Sequence, residues 1–400
     1  MKYDFTSIMD RRGKDAIAVD GFGRPGFGPS ENAPGQFDMI PMWVADMNFN
    51  TAPAITEALN ERIKYPTYGY FDLSDDYYNA IINWHKDMYD EEIVRESVGY
   101  ENGVLGGLSS ALKVFCEPHE KVLVQSPCYI GFTHVLEDNE YTPVYDPMYK
   151  DEKGIWRIDL NGLEKRIVEE NIKVAIFNNP HNPSGRVFTY EEILDVMNLY
   201  KKYDVKVISD EIWADIIRPG YKHIPAQSVS EDAKMRTVSL YAPSKTFNLA
   251  GLIGSYHVVF NEKIREKLDR VSKSTHYNSC NVLSMHALTG AFSSEGRKWL
   301  NELKEVLYKN IDYSYNFIMN NFDGVKLARP DGTYMLYLDV KDYCLKHDIS
   351  LLDLLKKGLE VGVIWQNGEP FMMDYTIRMN LALPYSRVVE AFERLRKYVF

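Results

Sequence analysis

The chain has 400 residues, and its 46 lysines and arginines against 57 aspartates and glutamates give a formal net charge of −11. That length holds two to three units of ordinary domain size, and 45% hydrophobic with 26% charged residues excludes disorder and collagen-like repeats. No apolar run approaches the roughly 18–20 residues of a membrane-spanning helix, and the acidic balance argues against a nucleic-acid partner.

The N-terminal MKYDFTSIMDRRGKD lacks the apolar stretch of a secretory signal. Four cysteines (Cys116, Cys128, Cys280, Cys344) stand in no C-x-x-C pair and at no metal-ligand spacing, which predicts reduced thiols, no structural zinc and a cytoplasmic location. Tyrosine is abundant, 28 residues against 18 Phe and 6 Trp. Such rings can be ordinary composition or can line sites that hold planar ligands.

Residues 1–50 are rich in loops. Gly21-Phe22-Gly23-Arg24-Pro25-Gly26 matches G-x-G-x-x-G, but Pro25 and Pro29 deny it the helix that a dinucleotide site requires, so a loop is expected. Thr51 predicts a helix cap, with Pro53 in the first turn. From about 100 to 260 short apolar runs (121–125, 173–177, 205–208, 237–240 and 257–260) alternate with helix-period segments, one of them opened by a capping box from Thr189 to Glu192. That alternation predicts an α/β fold whose mostly parallel sheet is covered by helices on both faces. Beyond it, a long helix over 295–322, strands at 333–340 and 376–382, a helix from Ser350 and a C-terminal helix predict a smaller α+β domain. The expected division is 51–290 for the large domain, with 1–50 and 291–400 forming the small one.

Polar clusters end the predicted parallel strands: Ser126-Pro127-Cys128-Tyr129, Asn178 through Asn182, Ser209-Asp210-Glu211 and Ser244-Lys245-Thr246. Ligands of open α/β sheets lie outside the carboxyl ends of the strands. An acid, a lysine, an asparagine amide and an aromatic ring gathered there suit a pyridine aldehyde cofactor. The glycine-rich 102–108 segment, which leads into a helix, suits its phosphate.

With NPHNPSGRV (179–187), SDEIWADI (209–216), APSKTFNLAGL (242–252) and IRMNLALP (377–384) in this order, the chain resembles fold-type I pyridoxal-phosphate enzymes of the aminotransferase class I/II superfamily. Within it, MWVADMNF (42–49), YGY (68–70) and SKTFNLAGL resemble the MalY/PatB-type, cystathionine β-lyase-like carbon–sulfur lyases. The resemblance implies Lys245 as Schiff-base lysine and α-proton base, Asp210 beneath the ring nitrogen and Asn182 facing the ring hydroxyl. It implies Tyr129 as the stacking ring, Val104, Leu105 and Ser244 at the phosphate, and Arg378 on the substrate carboxylate. Tyr70 corresponds to a tyrosine that reaches the phosphate of a neighbouring subunit, which implies a homodimer.

Three positions depart from pattern. Ile253 stands where aminotransferases of this class carry a phosphate-binding arginine, which the lyase branch also lacks. Trp213 replaces a His or Tyr beside the ring, where an indole N–H can donate but cannot exchange a proton. Asn48 stands where the DMDF form of the motif has Asp. The expected reaction is α,β-elimination from cystathionine, cysteine or a related amino acid, with Tyr129 or a tyrosine of YGY assisting the leaving sulfur. An aminotransferase using the same site, or a protein of this fold with a regulatory binding role, remains the alternative.

Overall fold

The computed structural model describes residues 1–22 and 36–400; Gly23, Arg24, Pro25 and Gly26 of the glycine-rich loop lie outside the described residues. A seven-stranded sheet forms the centre of the larger part. In chain order its strands are β1 (Val98–Glu101), β2 (Lys121–Ser126), β3 (Thr142–Pro147), β4 (Val174–Asn178), β5 (Lys206–Asp210), β6 (Thr237–Tyr241) and β7 (Ser255–Val258). Their spatial order is β1-β7-β6-β5-β4-β2-β3. The pairs from β3 across to β6 are parallel, and β7 runs antiparallel to both of its neighbours.

Alternate side chains of these strands go to opposite faces, and both faces are covered. Val122, Val124, Ile176, Ile208 and Val238 pack with Leu108 and Leu112 of the Val104–Phe115 helix. Leu123, Ala175, Phe177 and Val207 pack on the other side with Ile193 and Val196 of the Tyr190–Lys202 helix. The capping box that starts the latter helix is present, with Thr189 and Glu192 each accepting from the other's backbone N–H.

Two local expectations are corrected. The apolar run at 257–260 becomes a strand two residues earlier, because Asn261 accepts from the N–H groups of Lys263 and Ile264 and starts the next helix. Thr51 does not cap the Pro53–Ile63 helix. Its hydroxyl donates instead to the Phe247 carbonyl (2.6 Å), tying the helix start to the loop that carries Lys245.

A second, four-stranded sheet contains β8 (Lys326–Leu327), β9 (Met335–Asp339), β10 (Gln366–Asn367) and β11 (Thr376–Asn380) in the order β8-β9-β11-β10. The Leu351–Glu360 helix, capped by Ser350, and the Tyr385–Tyr398 helix pack on it. The long Ser294–Asn321 helix contributes Trp299, Leu300 and Leu303 to one core and Ile311 and Ile318 to the other. The leading segment also touches both. Phe5 meets Phe49 and Trp299, whereas Ile40–Pro41 pairs in parallel with Val363–Ile364.

Two helices approach closely at Gly290 in the Val282–Ala291 helix. A Cβ there would lie 2.7 Å from the Ala54 carbonyl oxygen and 2.9 Å from Ile55 Cα, both backbone atoms with no room to yield. Gly290→Ala is therefore expected to cost about 1–3 kcal/mol, as overpacking does, and to lower the denaturant midpoint with little change in the slope of the transition.

Candidate active site

The carboxyl ends of β2, β4, β5 and β6 converge on a cleft of about 540 Å³. Tyr129, Asn182, Asp210, Trp213, Ser244, Lys245 and Arg378 line it, together with Val104 and Leu105. Tyr70, expected at the phosphate of a neighbouring subunit, is not in the lining and is fully exposed.

Sheet register places the acid. Asn178 and Asp210 are direct neighbours at the ends of β4 and β5. The Asn178 amide donates to the Asp210 carbonyl (2.9 Å), and its oxygen accepts from the Asn182 N–H (2.7 Å). One side chain thus fixes both Asp210 and the turn that presents Asn182. At the cleft's other end Gly103 (φ +80°) turns the chain in a region that side chains avoid, so that the Val104–Phe115 helix begins with its first N–H groups free of intrahelical partners.

Burial sets the electrostatics. Asp210 is pushed up to about 7 by desolvation, which the Ile212 N–H on its Oδ1 (3.0 Å) and the charge of Lys245 only partly offset. Lys245 is pulled down to about 8 by burial and by Arg378, against the pull of Asp46 and Asp210. Its Nζ donates to the Ala45 carbonyl (2.9 Å), which also accepts from the Tyr334 hydroxyl (3.1 Å). Arg378, 4% exposed, is lowered to about 10 by burial. Its Nη1 donates to Asn182 Oδ1 (3.1 Å) and Nη2 to the Trp43 carbonyl (3.3 Å), while Nε has no partner.

Sequence reasoning did not explain the 42–49 segment. It is a strap stitched between the Lys245 loop and β11. Asn248 accepts from the Met47 N–H and donates to the Met47 carbonyl, both at 3.0 Å. From the other side Asn380 donates to the carbonyls of Val44 and Asp46, both at 2.6 Å. Arg11 bridges Asp46 and Asn48, so an amide oxygen at 48 accepts as a carboxylate would. Asp215 was likewise missed. It accepts from Trp84 Nε1 (2.9 Å), the Tyr89 hydroxyl (2.6 Å) and the hydroxyl of Thr246 (2.8 Å), next to the lysine. The available signal was a polar residue inside an apolar stretch, as with Asn380 in IRMNLALP. Ile253 has φ +40°, a strained region for a β-branched residue, and lies at the cleft.

The donor set fits pyridoxal phosphate. Free helix N–H groups and Ser244 suit a dianion, a buried carboxyl suits a ring nitrogen, and the unpartnered buried Nε of Arg378 suits a carboxylate. Lys245, its proton affinity reduced, suits carbonyl chemistry.

The family model described as aminotransferase class I and II matches residues 38–395. Cystathionine β-lyase PatB of Bacillus subtilis is 33% identical over 366 residues, covering 90% of this chain and 93% of that protein. Protein MalY of Escherichia coli is 28% identical, with 96% of each chain covered. The PLP-bound carbon–sulfur lyase of Staphylococcus hominis superposes with a TM-score of 0.88 at 30% identity, covering 98% of each chain.

Asp210 makes a pH-dependent contribution whose sign follows from its raised value. The folded protein holds this proton up to about pH 7, whereas the unfolded chain releases it near 3.8, so wild-type stability falls as pH rises between those values. In cofactor-free protein, Asp210→Asn is expected to match wild type near pH 4, to gain on it progressively up to about pH 7, and to hold a constant advantage above. Denaturant midpoints measured across that range check this.

Proposed function

The chain belongs to the aminotransferase class I and II family, and we propose that it is a pyridoxal-phosphate-dependent carbon–sulfur lyase. It converts cystathionine, cysteine or a related sulfur amino acid by α,β-elimination to thiol, pyruvate and ammonia. The reading rests on one observation above others: Lys245, Asp210, Asn182 and Arg378 meet in a single cleft. The likeness to PatB over 90% of the chain supports the lyase branch.

Pyridoxal phosphate, when bound, supplies an aldehyde that takes up the substrate amine and a ring that accepts the electron pair released at the α-carbon. The N–H groups of Val104 and Leu105 and the Ser244 hydroxyl hold the phosphate, and Tyr129 covers a ring face. Asp210 holds a proton at the ring nitrogen; the positive charge that arises there draws the carboxyl to its ionised form. Asn182, whose Oδ1 is engaged by Arg378, has its Nδ2 left to donate to the ring oxygen. Trp213 lines the same cleft, and its indole N–H can donate but exchanges no proton.

Arg378 binds the α-carboxylate through Nε and the free side of its fork. Lys245 Nζ takes the α-proton. The Ala45 carbonyl, already its acceptor, steadies the resulting ammonium. Tyr70 serves the phosphate of the neighbouring subunit in a homodimer, a role consistent with its full exposure in one chain. Ile253 places an apolar side chain where aminotransferases of this class carry arginine, which favours the lyase reading over transamination.

Incubation with cystathionine alone is expected to release pyruvate and thiol without any added 2-oxo acid. Product that forms only when a 2-oxo acid is supplied would establish transamination instead. Lys245→Ala should lose at least the roughly 10²–10⁴-fold of a general base, measured as pyruvate release. Arg378→Ala should raise KM for the amino acid by about tenfold or more, the value of a charge-assisted hydrogen bond.

A further inference from the structure

Two hydrogen bonds hold Arg378 by its two Nη atoms, one to Asn182 and one to the Trp43 carbonyl. Both bonds act at the guanidinium's edge and leave its face to be set by packing. The third contact is with Phe371, whose ring centroid lies 4.6 Å from the guanidinium carbon. Phe371 is fully buried and Arg378 nearly so. A cation over an aromatic face is attracted most strongly in such a desolvated setting.

Phe371 is itself held on both sides of the cleft. It ends the short Glu369–Phe371 turn, and its N–H donates to the Gly368 carbonyl (3.0 Å). Gly368 in turn donates to the Thr376 carbonyl (2.8 Å), and its own carbonyl accepts from the Tyr337 hydroxyl (3.1 Å). A Cβ at Gly368 would lie 2.4 Å from Thr376 Oγ1, so the turn sits directly against β11, which carries Arg378. The Phe371 carbonyl accepts from the N–H of Cys128 (2.9 Å), the residue before Tyr129. A single residue thus meets the guanidinium with its ring and the Tyr129 loop with its backbone.

We propose that Phe371 is a positioning residue for substrate recognition: its ring face fixes the Arg378 guanidinium so that Nε and the free side of the fork point at the substrate carboxylate. The inference rests on the role given above to Arg378. An aliphatic residue would fill the same space but present no negative face, so the effect is confined to ligands that use the guanidinium.

The test uses the holoenzyme and two small amines, L-alanine, which carries the carboxylate, and ethylamine, which does not. Each is titrated against the absorbance of the bound cofactor to give a dissociation constant. Phe371→Leu is expected to weaken L-alanine about tenfold and ethylamine by less than twofold. Because Leu could disturb the turn, 3,4,5-trifluorophenylalanine at position 371 provides a second variant that keeps the ring's shape and depletes its face. It should weaken L-alanine severalfold and leave ethylamine unchanged. Equal weakening of both amines, or unchanged L-alanine binding in the fluorinated protein, would overturn the proposal. A wild-type holoenzyme that bound L-alanine no better than ethylamine would overturn the role of Arg378 itself, and this proposal with it.

Discussion

Desolvation of three ionisable groups in one cleft is the constraint on which the rest of the site depends. Water would leave Asp210 ionised and Lys245 and Arg378 firmly protonated; burial moves the acid up to about 7, the amine down to about 8 and the guanidinium down to about 10. Each shift opposes the group's charged form, and the fold supplies each group with a hydrogen-bond partner. The Ile212 N–H serves Asp210, the Ala45 carbonyl serves Lys245, and Asn182 with the Trp43 carbonyl serves Arg378.

Such groups function only where their partners are immobile, and much of the chain's polar inventory serves that end. Asparagines recur at the junctions. Asn178 joins the ends of two strands, Asn248 grips both backbone groups of Met47, and Asn380 reaches two carbonyls of the same strap. An amide carries donor and acceptor on one short side chain, so it can satisfy backbone groups of a passing segment without burying a charge. The 42–49 strap is held by the Lys245 loop on one side and by the Arg378 strand on the other. The spacing between base and carboxylate anchor therefore depends on a segment that contributes mainly its backbone.

How far the sequence revealed this depended on the range of each interaction. The capping box at Thr189, the helix from Ser350 and the buried strands ending at Asn178 and Asp210 are local or nearly so, and they appear where expected. The cleft residues were legible because parallel strands deliver their ends to one place, so motifs far apart in the chain could be assigned to a common site. The strap was not, since its bonds join residues some 200 to 336 positions apart and involve backbone atoms that leave no compositional trace. Thr51 misled for the same reason: a hydroxyl before a helix normally caps it, and here a distant carbonyl, that of Phe247, competes successfully for its proton.

The tyrosine surplus, ambiguous as composition, acquires a physical explanation beneath the lysine. Tyr89, Tyr241 and Tyr256 stack with one another and around His85 in a layer where all four side chains are buried. Phenylalanines would fill that volume, but at positions 89 and 256 they could not end in a donor. The Tyr89 hydroxyl shares Asp215 with Trp84 and Thr246, and the Tyr256 hydroxyl meets His85, which also contacts Glu91. A buried carboxyl needs hydrogen-bond donors for its oxygens, and aromatic residues with polar tips provide them while contributing apolar area to the core. Asp215, so satisfied, is a rigid anchor for Thr246, and through it for the backbone that carries Lys245. Tyr89, one ring of that surplus, thus acts one layer deeper: through Asp215 and Thr246 it helps to fix the loop from which the cleft's base projects.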